Sequence, residues 1–302
     1  MHNTFILPFY KFNLLSNIDL NTYPAPLNTQ SKTIFLNAVK GNSVLDENIN
    51  FNINDGIFTI NSPFSSYYIS KNNITAKYNT INDIKSTLDN LPASVISIYH
   101  SDLLLHASGL SIDNNIVAFC APKGGGKTTL ISYIAKVFNF FSDDTIYLEN
   151  ENNQINCYAG LDELKVTEET LYHHDNGYDI YMNSKKNIQE KAYVKANDIN
   201  LLTSDKNCIT KPYKLSKIFF IKRSENQGFK TKDIININEK KSLLIANIVG
   251  SKYLPHDWIF KIFNSSIFNN IISKIEFKYL FIFNNIEYLR LNIRELSELI
   301  KI

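Results

Sequence analysis

The stretch CAPKGGGKTTL, Cys120 to Leu130, joins three consecutive glycines to a lysine and two threonines, residue types suited to holding phosphate. A loop of the form G-x-x-x-x-G-K-[ST] works because glycines let successive backbone N–H groups curl round phosphate oxygens at a helix N-terminus. Gly126, Lys127 and Thr128 fill the last three positions of that pattern, and Ala121 stands at the first. Gly124 and Gly125 lie where the chain must bend most sharply. In this reading Lys127 reaches the β- and γ-phosphates of a nucleotide and Thr128 offers its hydroxyl to Mg²⁺, with Lys123 and Thr129 beside them. The flanks agree, since the apolar run Ile116 to Phe119 precedes the loop. A helix with Leu130, Ile131, Ile134, Ala135 and Phe138 on one side follows it. The plain alternative is a glycine-rich turn between strand and helix, with a solvated lysine.

Downstream, FNFFSDDTIYLE places Asp143 and Asp144 at the end of an apolar strand. Phosphoryl transfer needs a carboxylate to hold Mg²⁺, and transfer to an alcohol benefits from a second that accepts the hydroxyl proton. Adjacent strand residues point to opposite faces, so both serve one site only if the strand ends or twists there. Asp143 is favoured as base and Asp144 as metal ligand, although the sequence does not separate them. The alternative is an Asp-Asp turn with solvated carboxylates. His106, in LLLHASGL, precedes the loop by a hairpin whose turn is read at Asp113-Asn114-Asn115. Arginine occurs only at Arg223, Arg290 and Arg294. Arg223, at the end of a predicted strand, is the first candidate for further transition-state charge, with Lys165 and Lys191 behind it. YHHDNG, whose histidines are His173 and His174, is read as a polar loop, because adjacent histidines do not readily share one ion.

Two family patterns lie close to the loop. KGGGKTT resembles the K-G-G-x-G-K-T-T loop of partition ATPases, but it is one residue short, and the loop lies over a hundred residues into the chain. The longer series LHASGLSIDNNIVAFCAPKGGGKTTLISYIAKVFNFFSDDTIYL resembles the core of HPr kinase/phosphorylase-like proteins, with an HAS strand, a hairpin, a loop and an SDD strand in succession. It is most similar to stand-alone members of peptide-modification clusters, of the kind that phosphorylate lasso-peptide precursors. The likeness covers Leu91 to Leu148 closely and Leu215 to Arg223 loosely. It implies a nucleotide-binding sheet related to that of phosphoenolpyruvate carboxykinase. It further implies Gly124, Gly126, Lys127 and Thr128 at the phosphates and Mg²⁺, Asp143 and Asp144 in base and metal roles, and His106 in the wall of the site. Ala121 and Lys123 depart from the family loop G-x-S-G-x-G-K-[ST], and the family's later acidic signature is not recognisable, although GLDELKV falls in that region.

The elements that must position these residues are legible in outline. Over roughly the first ninety residues, FILPFYKFNLL, KTIFLNAV, INFNIN, GIFTIN, SSYYIS and ITAKYN read as short strands separated by turn residues, a small antiparallel β-rich domain over 1–90. INDIKSTLDNLPASVISIYH has helical spacing, with Pro92 breaking or restarting it. From 91 to 302, strands alternate with helices, which predicts an α/β domain. QINCYAG, LSKIFFIKR and FKYLFIFNN read as strands; KKSLLIANIV, HDWIFKIFNSSIFNNIISKI and EYLRLNIRELSELIKI as helices; the polar stretch from Asp175 to Asn200 is left unassigned.

At 302 residues with 44% hydrophobic and 20% charged, the chain has material for a sizeable core. A net charge of +2, spread along the chain in pairs such as Lys185-Lys186 and Lys240-Lys241, gives no concentrated footprint for nucleic acid or membrane. Cys120, Cys157 and Cys208 read as reduced core thiols. No apolar run spans a bilayer and the N-terminus is a poor signal peptide, so a cytoplasmic location is expected. The expectation is an ATP- or GTP-dependent kinase with Mg²⁺, acting on a peptide, protein or small molecule that bears a hydroxyl. A nucleotide-gated scaffold, an ATPase without an acceptor, or a loop that binds no nucleotide are the alternatives.

Overall fold

The computed structural model describes residues 5–9, 12–18, 33–40, 50–54, 56–61, 65–81, 84, 87–88, 90–159, 163–184, 191–202 and 212–301. Cys208, the Lys185-Lys186 pair and residues 160–162 of GLDELKV lie outside the described residues.

Strands β1 (Phe5–Phe9), β2 (Phe12–Ser16), β3 (Thr33–Lys40), β4 (Asn50–Asn54), β5 (Ile57–Asn61), β6 (Ser65–Ser70) and β7 (Asn73–Tyr78) form one sheet in the order β1-β2-β3-β7-β6-β5-β4. Period-two alternation sorts its faces: β3 buries Ile34, Leu36 and Ala38 and turns Phe35 and Val39 outward. The sheet is not purely antiparallel as the turn chemistry suggested, because β3 runs parallel to both β2 and β7. The hairpin strands β4 to β6 serve as the crossover that a parallel β3–β7 pair requires. Helix α1 (Leu91–Tyr99) follows, with Pro92 in its first turn, where a missing N–H removes no helical bond.

A second sheet holds β8 (Leu103–Leu105), β9 (Ser108–Ile112), β10 (Asn115–Cys120), β11 (Asn139–Ser142), β12 (Ile146–Glu151), β13 (Gln154–Ala159), β16 (Tyr213–Ser224), β17 (Phe229–Asp233) and β18 (Glu276–Phe283). Between them, β14 (Glu163–Val166) and β15 (Ala192–Lys195) pair only with each other among the described residues. The central β10 is covered on both faces: Ile116, Ala118 and Cys120 enter one apolar core, Val117 and Phe119 the other. Strand β16 forks. Tyr213 and Lys214 pair with β13, whereas Lys217 to Ser224 run parallel to β18. Helices α2 (Lys127–Ile134), α3 (Glu168–Tyr172), α4 (Gly177–Asn183), α5 (Ile237–Ala246), α6 (His256–Asn264), α7 (Ser266–Lys274), α8 (Ile286–Leu291) and α9 (Ile293–Ile300) complete the chain. The architecture is therefore mixed α/β with several sheets. One apolar core is shared by both large sheets, for Phe12 meets Tyr147 edge-on and Phe58 meets Trp258.

Four segments read as single elements are each divided. The last two predicted helices break where Ser265 caps α7 by accepting the Phe268 N–H, and at Asn292. LLLHASGLSI splits at His106-Ala107, β8 pairing with β12 and β9 with β10 and β11. FNFFSDDTIYLE likewise splits into β11 and β12, with Asp144 left-handed at φ 67°. The hairpin turn before β10 consists of Asp113 and Asn114, at φ 48° and 62°, as a two-residue primed turn requires. No helix among the described residues is long and apolar enough to cross a membrane.

Gly109 on β9 is the point over which β11 and β12 close, since a Cβ there would lie 2.9 Å from Ile146 Cδ1 and 3.1 Å from Phe141 Cδ1. Both neighbours are buried, so they have little room to yield. Gly109→Val is expected to lower stability by about 1–3 kcal/mol, as overpacking does, read as a lower urea midpoint.

Candidate functional site

The loop from Ala121 to Gly126 joins the end of β10 to α2. Gly124 and Gly126 take left-handed backbone, at φ 76° and 90°, which a side chain would strain. Gly125 is needed for a different reason: a Cβ there would stand 2.7 Å from the Ala121 Cβ and 2.9 Å from the Pro122 carbonyl. Ala121 itself is buried and has no positive φ, so alanine meets no backbone obstacle at the first position of the pattern. The Gly125 N–H donates to Pro122 O at 2.9 Å and closes the turn. Beyond it, the first turn of α2 presents N–H groups that no residue within the helix accepts.

Lys127 is buried and its Nζ lies 3.1 Å from Ala121 O and 3.3 Å from His106 Nε2. Burial pushes this ammonium below the usual lysine range, against the opposing pull of Asp144, Cys120 and Asp143. Lys123 is exposed on the rim. Thr129 turns its hydroxyl to Thr170 at 2.9 Å, tying α2 to α3.

The two carboxylates sit beside the loop in unlike surroundings. Asp143 is buried and accepts hydrogen bonds from Ser108 Oγ at 2.6 Å, from Thr128 Oγ1 at 3.2 and 3.1 Å, and from the Lys165 backbone N–H at 3.3 Å. Burial, then the adjacent charge of Asp144, raise its pKa, and those hydrogen bonds only partly offset them. Asp144 is 36% exposed and pairs with Lys165 Nζ at 2.9 Å. Burial acts to raise Asp144 as well, but His106 and Lys165 hold it well below the usual carboxylate range. His106 Nε2 is 3.7 Å from Asp144 Oδ1, longer than a good hydrogen bond. One ring nitrogen thus faces an ammonium and a carboxylate. With its proton on Nδ1 the ring can accept from Lys127 at Nε2, and with a proton on Nε2 it can donate towards Asp144.

Arg223, beyond the end of the β10–β16 pairing, bridges the loop to the end of β18. Its Nη2 donates to Gly124 O at 2.8 Å and its Nη1 to Asn284 Oδ1 at 2.5 Å. The sequence-predicted Lys127, Thr128, Asp143, Asp144, His106 and Arg223 therefore converge on one loop. Lys165, ranked behind Arg223 as a source of charge, meets both carboxylates, one through its backbone and one through its side chain. Ser108 and Asn284 were missed. Ser108 had a signal in the HAS triplet, whereas Asn284 had only its place after an apolar strand.

Two further readings are settled by burial. His174 lies in the loop between α3 and α4, as read, but it is turned inward: it is buried, stacks on Tyr133 at 4.9 Å and 20°, and lies 3.4 Å from Ser132 Oγ on α2. Its Nδ1 has no hydrogen-bond partner among the described residues. Cys120 and Cys157 are free and buried, and burial raises both thiols, Cys120 to about 12.

No protein-family model matches the chain, and no curated protein matches it. Among solved structures the chain is similar to the Hpr(Ser) kinase/phosphatase from Coxiella burnetii, at 12% identity and a TM-score of 0.30, over 65% of this chain and 97% of that one. A likeness of that strength says nothing of activity, and the functional reading rests on the loop and its neighbours.

Burial lowers the pKa of His174 from the ordinary 6.5 to about 4. The unfolded chain therefore takes up a proton that the folded chain refuses. Stability is expected to fall by about 2–3 kcal/mol between roughly pH 6.5 and pH 4 and to level off below. Chemical denaturation across that range should show this step in the parent and a flatter course in His174→Phe.

Proposed function

We propose that this chain is a phosphotransferase of the HPr kinase-like phosphate-loop type, which moves the γ-phosphoryl group of ATP or GTP to a hydroxyl on a peptide, protein or small molecule. The observation that carries this reading is the contact of Thr128 with the buried Asp143 at 3.1 Å, with Lys127 and Asp144 beside it. A hydroxyl and a carboxylate oxygen at that separation are hard donors of the kind Mg²⁺ takes, with the remaining positions left to phosphate and water. Bound there, Mg²⁺ would neutralise charge on the β- and γ-phosphates.

The unlike surroundings of the carboxylates divide their labour. Asp143, closed off from solvent and bonded to Thr128, is assigned to the metal side. Asp144, more open and set between His106 and Lys165, is assigned to the acceptor hydroxyl. This inverts the preference read from the sequence, on the ground that a base must reach its substrate. In the proposed step the acceptor oxygen attacks phosphorus, its proton passes to Asp144, and the bond from γ-phosphorus to the bridging oxygen breaks to release the nucleoside diphosphate. Lys127 and Arg223 would stabilise negative charge at the loop, and Gly124, Gly125 and Gly126 would let its backbone approach the phosphates. Residues 91–302 would carry this chemistry, with residues 1–90 as a β-rich domain packed against them.

Incubation with γ-labelled ATP and Mg²⁺, with and without hydroxyl-bearing acceptors, tests the reading through nucleotide loss and label transfer. Lys127→Ala should abolish both. Asp144→Asn should bind nucleotide normally and transfer about 10²- to 10⁴-fold more slowly, whereas Asp143→Asn should lose Mg²⁺-dependent binding. Nucleotide loss without transfer to any acceptor would indicate an ATPase or nucleotide-gated scaffold. Unimpaired Mg²⁺-dependent binding by Asp143→Asn would restore the opposite assignment of the two carboxylates.

A further inference from the structure

The phosphate loop has two flanks. On one, β9 and the turn after β11 bring Ser108, Asp143 and Asp144 to the loop. On the other, β16 and β18 run parallel to β10, and β16 continues past Cys120, which is level with Phe220, to Ser224, which is level with Phe283. A nucleotide is a linear ligand. If its γ-phosphate lies at the carboxylates, its nucleoside must leave towards the other flank, above the carboxyl ends of parallel strands, where ligands of such sheets bind.

That flank carries an aromatic group with no evident work in the core. Phe283 and Tyr288 meet edge-on at 5.4 Å, and Tyr288 meets Phe229 at 5.7 Å. Phe229 packs onto the core beneath it, whereas Phe283 and Tyr288 are half-buried and belong to neither apolar core. Phe283 adjoins Asn284, which Arg223 links to Gly124 in the loop. The Asn284 carbonyl is taken by Arg223, so its amide is left to offer donors, and the acceptor atoms of a base edge suit donors.

We propose that Phe283 and Tyr288 form the stacking surface for the nucleobase, with Asn284 facing its edge and Arg223 spanning from the base side to the phosphate loop. The inference rests on the nucleotide reading above. It adds a binding site for a planar heteroaromatic group, formed by the β18–α8 junction, and gives Arg223 a second role as the strut between the two halves of the ligand.

The test compares the affinities of the full chain for Mg²⁺ complexes of ATP, of GTP and of inorganic tripolyphosphate, which has the phosphates and no base. The parent is expected to bind at least one nucleoside triphosphate about tenfold or more tightly than tripolyphosphate, the scale of one stacked base. Phe283→Ala and Tyr288→Ala should each remove most of that advantage while tripolyphosphate affinity stays within about twofold, which also reports that the loop is intact. Leu291→Ala, an exposed neighbour on α8, should change neither. Equal parental affinity for all three ligands, an undiminished advantage in both aromatic variants, or parallel loss of nucleotide and tripolyphosphate binding would each overturn the stacking surface and leave the phosphate loop standing. Failure of the parent to bind any of the three would overturn the nucleotide reading itself, and the stacking surface with it.

Discussion

A carboxylate removed from water must find its hydrogen bonds inside the protein, and Asp143 finds them from three separate stretches of chain: Ser108 at the start of β9, Thr128 in the first turn of α2, and the backbone of Lys165 on β14. Each bond to a charged acceptor contributes on the order of 1.5–3 kcal/mol, and losing one partner would leave desolvated charge behind. This single group therefore fixes where the loop helix, the β9 hairpin and the β14–β15 pair stand relative to one another. Its neighbour Asp144 is free to differ because the left-handed turn at φ 67° swings it away from that pocket and towards Lys165.

The rest of the molecule can be understood as what holds that arrangement in place. Covering β10 on both faces stiffens the strand from which the loop springs. Helix α2 is anchored by Thr129 to Thr170, by the Tyr133 hydroxyl donating to the Thr170 carbonyl, and by the buried His174 ring stacked upon it. The segment that supplies Lys165 thus continues directly into the segment that grips the helix, so the carboxylates and the loop share one support.

The glycines, lysine and threonine of the loop, the paired aspartates and the strand–loop–helix order were legible because each is a local pattern with a local cause. The divisions of LLLHASGLSI and FNFFSDDTIYLE were not, since apolar residues resume just past each break and only the pairing of each half with a different strand separates them. The parallel course of β3 was hidden for a similar reason: alternation reports which face is buried and is silent on direction. The burial of His174 was hidden because its neighbours in sequence are polar, while its surroundings in space are Tyr133 and Ser132. Asn284 and Ser108 owe their places to residues far away in the chain. Lys165 was visible as a charge, but nothing in its sequence indicated that it would meet both carboxylates.

The fork in β16 bears on how such a chain comes to be built. Ser216 bonds back to Ile116 across 100 positions, and Arg223 to Gly124 across 99. A growing polypeptide that has emerged only as far as the loop and its helix lacks the strand on which β10 leans, and β16 in turn lacks β18 until Glu276 to Phe283 have been made. Such non-local pairing slows folding, since loop closure must precede any reward from contact. The loop thus acquires its final surroundings long after it is made: a chain cut short before β18 lacks both the strand that β16 lies against and Asn284, which holds Arg223 across the loop.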